Sequence, residues 1–336
     1  MKAPFPWFGG KSRAARQVWR ALGCVENYIE PFGGSAALLL ARPGGAAGVE
    51  TYNDNDGLLV NAWRSMQMEP EATAAAADWP VSEADLHARH LVLVEARESL
   101  TERLISDPDW CDPRLGGWWI WGACCWIGSG WCSGDGPWSR DVDGLLHLGD
   151  AGMGINRKLP HLGDAGRGIN RQLPHLGNAG RGINRQLPHL GDAGRGDAIA
   201  SWFSVISSRL RDVRIVCGSW ERVCTPTVAE RHGLTGIVFD PPYPEGWSTD
   251  RAYAGQTESA HDICAQVFGT AIDLDSRGCR VVVCGYSGTW SPPAGWTERR
   301  WTARKGYAAD GGMRQKREVL WCSPLCVGED QPGLFS

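Results

Sequence analysis

Asp240-Pro241-Pro242-Tyr243 is the segment of this chain best suited to chemistry. It follows an apolar run, Gly236-Ile237-Val238-Phe239, that reads as a buried strand. A carboxylate, two stiff prolines and an aromatic ring therefore stand where a strand ends and a turn begins. In open α/β sheets, ligands bind at such carboxyl ends. The set suits holding a planar amino group between hydrogen-bond acceptors while a ring stacks on its base. The chemistry this would serve is amino methylation of a nucleobase. Taken alone, the tetrapeptide also fits a plain strand-end turn.

A second cluster lies near the N-terminus. Glu30-Pro31-Phe32-Gly33-Gly34-Ser35 sits between a short strand at Tyr28-Ile29 and a helix from Ala36 to Ala41. Glycine here lets a ligand approach backbone N–H groups at the helix start. The pattern is not G-x-G-x-x-G, so a dinucleotide is not indicated. Asp54 follows about 20 residues later at the next strand end, a spacing that suits an acid gripping a ribose hydroxyl. Nucleotide-like cofactors of several kinds would fit. Gly10-Lys11-Ser12 looks like part of a P-loop, but Phe5 stands where that motif needs a glycine. A nucleotide triphosphatase is excluded on that ground, and the bland alternative is an N-terminal loop that caps a helix.

In combination the segments are far more specific. Phe5-x-Trp7-x-Gly9-Gly10-Lys11, then Tyr28-Ile29-Glu30-Pro31-Phe32-Gly33-Gly34-Ser35, then Asn53-Asp54-Asn55, then Asp240-Pro241-Pro242-Tyr243, resembles the Dam-like (D12 class) DNA adenine-N6 methyltransferases. The order also resembles that family's layout of N-terminal cofactor motifs, target-recognition domain and catalytic motif. The tail, with Lys305-Gly306-Tyr307 and Arg314 to Glu318 before Val319-Leu320-Trp321, is similar to phage members. The motifs bracket nearly the whole chain. The middle departs from the pattern, because a Trp-rich stretch and repeats stand where the family has a recognition hairpin.

The resemblance implies a Rossmann-like class I methyltransferase sheet with helices on both faces and an inserted target-recognition domain. It implies S-adenosyl-L-methionine as donor and double-stranded DNA as partner, in DNA methylation of the restriction–modification or phage kind. Asp240 and the Pro241 carbonyl would accept the two N–H bonds of the adenine amine, and Tyr243 would stack on the base. The base must leave the duplex to reach them. Trp7, Gly9, Gly10, Glu30, Phe32 and Gly34 would line the methionine and adenosine pocket, and Asp54 would hold the ribose. Lys11 would face either the cofactor tail or the target base. Cytosine-N4 methylation and RNA methylation use similar acceptor geometry. A catalytically silent DNA-binding relative is the alternative outside enzymes.

The bulk properties agree with a globular chain. With 336 residues, 43% of them hydrophobic, it holds one large domain or two smaller ones. A net charge of −4 does not mark a nucleic-acid binder, so charge must be read locally. The twelve cysteines form no paired C-x-x-C pattern, so they read as reduced core residues and no metal is expected. No signal peptide and no membrane span is visible, which points to the cytoplasm, of a bacterial host if phage-encoded. No obligatory protein partner is indicated.

Strands and helices alternate at both ends of the chain and flank a different middle. Residues 1–65 and 200–336 read as the catalytic domain and 66–199 as the insert. In the insert, Ser82 to Ser106 has a helical pattern with Ser82 and Asp85 as a capping pair. Trp110 to Trp138 carries seven of the eighteen tryptophans, either a packed core or aromatic platforms for bases. His147, His161, His175 and His189 each open a copy of a 14-residue repeat. Between His147 and Gly196 there are seven Lys or Arg against three Asp, a basic segment inside an acidic protein. It is either a loop grown by duplication or an arm whose Arg167, Arg171, Arg181 and Arg185 track DNA phosphates. Late strands are expected at Arg280 to Cys284 and as an antiparallel pair, Trp296 to Arg304 with Arg317 to Trp321.

Overall fold

The computed structural model describes residues 1–7, 9–126, 131–132, 138–140, 146–148, 197–243, 260–301 and 318–328. Nearly all of the repeat segment, including Arg167, Arg171, Arg181 and Arg185, lies outside the described residues. So do Lys305-Gly306-Tyr307 and Arg314.

In chain order the elements begin with helix α1 (Ala15–Leu22), strand β1 (Asn27–Glu30), α2 (Ala37–Leu40) and β2 (Val49–Asp54). Helices α3 (Gly57–Met68), α4 (Pro70–Ala77), α5 (Glu83–Ser106) and α6 (Pro113–Cys125) follow. A short hairpin, β3 (Trp138–Arg140) with β4 (Leu146–Leu148), precedes α7 (Asp197–Leu210). Then come β5 (Val213–Cys217), a 3-10 turn at Trp220–Val223, α8 (Pro226–Glu230) and β6 (Thr235–Phe239). The chain continues through α9 (Ala260–Ser276), β7 (Arg280–Tyr286), β8 (Thr297–Arg300) and β9 (Glu318–Cys322).

Two compact units result. One comprises residues 1–8, 56–211 and 250–256, the other 9–55, 212–249 and 257–336. The sequence reading divides the chain at 65/66 and 199/200, whereas these units divide at 55/56 and 211/212. α3 and α7 therefore belong to the helical unit, where both pack on α4.

The second unit is α/β. Its sheet has strand order β5-β2-β1-β6-β7-β9-β8. The first five strands in that order are parallel, and β9 is antiparallel to both neighbours. The order steps outward from β1 through β2 to β5, then resumes on the other side of β1 with β6 and β7. Ligands bind open α/β sheets at such reversals, outside the carboxyl ends of the strands. This mixed, mostly parallel seven-strand sheet is compatible with a Rossmann-like fold. The late antiparallel pair expected from the sequence is β8 with β9.

Period-two alternation sends side chains to both faces of the sheet. Ile237 and Phe239 of β6, Val281 and Val283 of β7, and Trp321 of β9 share one apolar cluster with Val267 and Leu274 of α9. Tyr28 of β1 instead packs against Trp19 of α1, ring centroids 4.7 Å apart.

The first unit is helical around α6, which packs on α3, α4 and α5. No helix was expected in this glycine- and tryptophan-rich stretch. Asp112 caps it by accepting from Leu115 N at 2.9 Å, and Pro113 opens the first turn. Gly117 is required by packing, since a Cβ there would lie 2.5 Å from the Thr73 carbonyl oxygen of α4. Glycine lowers helix propensity in isolation, but here it permits close approach of α4. Trp119, Trp121 and Trp126 are buried, so these tryptophans form a packed core. None of the twelve cysteines is in a disulfide among the described residues, and nine are buried. Among the described residues no helix is long and apolar enough to cross a membrane.

His90 of α5 is fully buried and stacks on Trp126, with centroids 5.0 Å apart and planes 10° from parallel. Burial, with Arg97 adding to it, lowers its pKa to about 4 from the usual 6.5. The unfolded chain therefore binds the extra proton first. Stability is complete above about pH 6.5 and is lost as pH falls through 4. Wild type is expected to lose about 3 kcal/mol more than His90→Phe between pH 7 and 4. Denaturant unfolding of both proteins across that range checks it; parallel pH profiles would refute it.

Candidate active site

β1 and β6 are hydrogen-bonded neighbours in parallel register, with Ile29 opposite Ile237. Their carboxyl ends therefore deliver Glu30 and Asp240 side by side. β2, on the other flank of β1, ends at Asn53 and Asp54. Three of the segments singled out by sequence thus meet at the strand-order reversal.

The Glu30 to Ser35 turn is held by the end of β2. Asn53 Nδ2 donates to the Pro31 carbonyl at 2.9 Å and to the Gly218 carbonyl at 3.0 Å. Gly33 N donates back to the Asn53 carbonyl at 2.8 Å. Gly34 N donates to Asp54 Oδ2 at 2.9 Å, and the Tyr52 hydroxyl donates to the Gly34 carbonyl at 2.8 Å. A Cβ on Gly33 would meet the Tyr52 ring at 2.0 Å, so glycine is required there. Asp54 thus orients the turn itself. Phe32 packs on Trp220, ring centroids 5.8 Å apart.

Glu30 is 4% exposed, and its Oε2 accepts from Leu39 N at 3.3 Å. Burial, opposed by that bond and reinforced by Asp240, raises its pKa to about 8 from 4.5.

The centre of the site is an ion pair. Lys11 Nζ lies 2.9 Å from Asp240 Oδ1 and also donates to the Gly9 carbonyl at 3.0 Å. The Lys11 side chain is 5% exposed and that of Asp240 23%. Burial pulls the Lys11 pKa down, but Asp240, Cys284 and Glu318 outweigh it and hold the ammonium above the ordinary lysine value. The Tyr243 hydroxyl donates to the same Oδ1 at 3.0 Å. Burial, then Asp240, keeps that hydroxyl protonated well above its usual range. Asp240 Oδ2 has no partner among the described residues. Lys11 lies 5.1 Å from the Tyr243 ring centroid, and Tyr243 meets Tyr286 edge-on at 4.7 Å.

Sequence reasoning left Lys11 facing either cofactor or base; in the structure it faces Asp240. Trp7 falls in the helical unit, where it meets Phe5 and Trp119 with both centroid distances at 6.2 Å. Gly9 has φ +73° and offers its carbonyl to Lys11, and Gly10 is exposed. Pro241 and Pro242 are buried.

Several contributors were not singled out. Cys264 Sγ of α9 donates to the Pro242 carbonyl at 3.3 Å and so pins the Asp240 turn. With Tyr243, Phe268, Cys284 and Tyr286 it borders a cavity of about 170 Å³. Glu318 and Trp301 lie by Lys11, the Trp301 ring centroid 5.9 Å from Nζ. Burial, with Asp240 opposing Lys11, raises the Glu318 pKa. Asn53 was visible as part of a motif; nothing local marks Cys264 or Trp301, because each reaches the site only through tertiary packing.

No protein-family model matches this chain, and no curated protein matches it significantly.

Two outcomes follow from this geometry. Gly33→Ala forces the Tyr52 ring aside and is expected to cost about 2 to 3 kcal/mol, read as a lowered melting temperature. Glu30 binds its proton more tightly folded than unfolded. Its contribution is complete below about pH 4.5 and is lost as pH rises through 8. Wild type is expected to lose up to about 4 kcal/mol relative to Glu30→Gln across that window, measured by paired unfolding curves.

Proposed function

We propose that this chain is an S-adenosylmethionine-dependent methyltransferase acting on the N6 amino group of an adenine flipped out of double-stranded DNA. The observation that carries the reading is Asp240, held by Lys11 and Tyr243 at the end of β6, beside the Glu30–Gly34 turn at the end of β1. The first is an acceptor for an amine. The second is a glycine turn that Asn53, Tyr52 and Asp54 hold in place at the end of the neighbouring strand. The sequence resemblance to Dam-like enzymes draws on these same residues. In this reading the sheet is a class I methyltransferase sheet, and the helical unit contributes target recognition.

The chemistry suits the residues. S-adenosylmethionine supplies, when bound, an electrophilic methyl group on a sulfonium centre. The carboxylates of Asp54 and Asp240 suit a cationic donor, whose charge would also favour loss of the Glu30 proton, and Gly33 and Gly34 would face its amino acid and ribose portions. The adenine amine is a weak nucleophile because its lone pair is delocalised into the ring. Asp240 accepts an amine hydrogen, favours a more tetrahedral nitrogen and stabilises the positive charge that develops there. Tyr243 supplies the stacking face, and its hydroxyl fixes the Asp240 rotamer. Lys11 holds the carboxylate in place, and holding acceptor and donor in line lowers the barrier by several kcal/mol. A thiolate nucleophile has no part in this scheme. Burial raises the pKa of both Cys264 and Cys284, Asp240 adding to it, so both stay thiols.

The test is transfer of labelled methyl groups to duplex DNA of mixed sequence. The label is expected in N6-methyladenine, and Asp240→Ala is expected to lower the rate roughly a thousandfold. Label in N4-methylcytosine would move the target to cytosine. DNA binding without any transfer would identify a silent relative.

A further inference from the structure

Two buried polar atoms near Lys11 have no hydrogen-bond partner among the described residues: Trp301 Nε1 and Glu318 Oε2. One only donates and the other, when ionised, only accepts. Leaving either unpaired costs about 1 to 3 kcal/mol, so a pair of them calls for a reason.

Strand register brings the two together. β8 and β9 pair with Arg300 opposite Val319, and the next backbone bond runs from Trp301 N to the Glu318 carbonyl at 3.4 Å. Trp301 and Glu318 are thus cross-strand neighbours. On the other side of β9, Glu318 stands opposite Tyr286 of β7. Directly opposed residues share a face of the sheet, about 5 Å apart at Cβ. The row Tyr286, Glu318, Trp301 is tied to the ion pair at both ends. Tyr286 meets Tyr243 at 4.7 Å, and the Trp301 ring lies 5.9 Å from Lys11 Nζ. Trp301 is 8% exposed, so the site buries its N–H instead of giving it to solvent.

We propose that Trp301 and Glu318 read the amidine edge of the acceptor base: Trp301 Nε1 donates to the ring nitrogen beside the reacting amine, and Glu318, in place of the Pro241 carbonyl, accepts the amine hydrogen that Asp240 does not. This rests on the methyltransferase reading above. The hydrogen-bond senses match only an edge that offers a donor next to an acceptor, as adenine and cytosine do. A carboxylate or phosphate ligand offers no donor for Glu318, and a guanidinium offers no acceptor for Trp301. Lys11, between two carboxylates, offsets their repulsion and lets both face one nitrogen. Trp301 and Glu318 thereby set specificity for a base whose amine adjoins a ring nitrogen.

The test uses full-length protein and amplified DNA in which 1-deazaadenine or 7-deazaadenine replaces adenine, each lacking one ring nitrogen. Wild type is expected to lose about tenfold in kcat/KM on one of the two, as one neutral hydrogen bond would give. Trp301→Phe keeps the ring and loses the N–H. It is expected to be about tenfold slower on adenine and indifferent to that same deletion. Glu318→Met is expected to lower kcat at least tenfold with the donor KM unchanged, and Glu318→Gln, which retains an acceptor oxygen, to restore most of it. Wild type that ignores both deletions, Trp301→Phe that still discriminates, or full kcat in Glu318→Met would each overturn the proposal. Wild type that transfers no methyl to unmodified DNA would instead overturn the methyltransferase reading.

Discussion

The buried contact between Lys11 and Asp240 is the interaction on which the site depends. An ammonium 5% exposed needs a counter-charge within contact distance, and Asp240 supplies it at 2.9 Å. The pair joins the N-terminal segment to the end of β6, across a long stretch of sequence. Removing either partner would leave an uncompensated charge in a desolvated place, which is far costlier than losing a surface pair. The same contact fixes Asp240 Oδ1. Tyr243 reinforces that orientation from a position three residues along the chain.

Around this pair the structure gathers acids under tension. Burial and then the charge of Asp240 raise the proton affinity of both Glu30 and Glu318, and Lys11 opposes this at Glu318. Such crowding is unfavourable for an empty fold and useful for a site that must meet positive charge. Perturbed groups of this kind cluster where chemistry is done. The bracing by Asn53, Tyr52 and Asp54 has the same logic. It makes the Glu30–Gly34 turn rigid, so that a ligand need not organise it.

Much of the sheet was legible along the chain. Gly236 to Phe239 and Arg280 to Cys284 are short apolar runs bounded by turn residues, and both are strands. The late antiparallel pair was legible for a similar reason. The helical unit was less so. α3 and α4 were not singled out, and α6 was hidden by its glycines and tryptophans. Gly117 looks like a helix breaker until α4 is seen against it. Helix propensity is a local quantity, and packing overrode it.

The residue types at the ends of β1, β2 and β6 were determined by sequence alone, because motif chemistry is local: an acid, prolines and an aromatic ring must be adjacent to act together. Their combined resemblance to a known pattern raised the expectation that these segments form one site. Only the tertiary structure decided that Lys11 faces Asp240, that Asp54 holds Gly34, and that Cys264 pins Pro242. Only it set Trp301 opposite Glu318. Those contacts join residues far apart in sequence, and strand register, which no local pattern specifies, decides which of them meet.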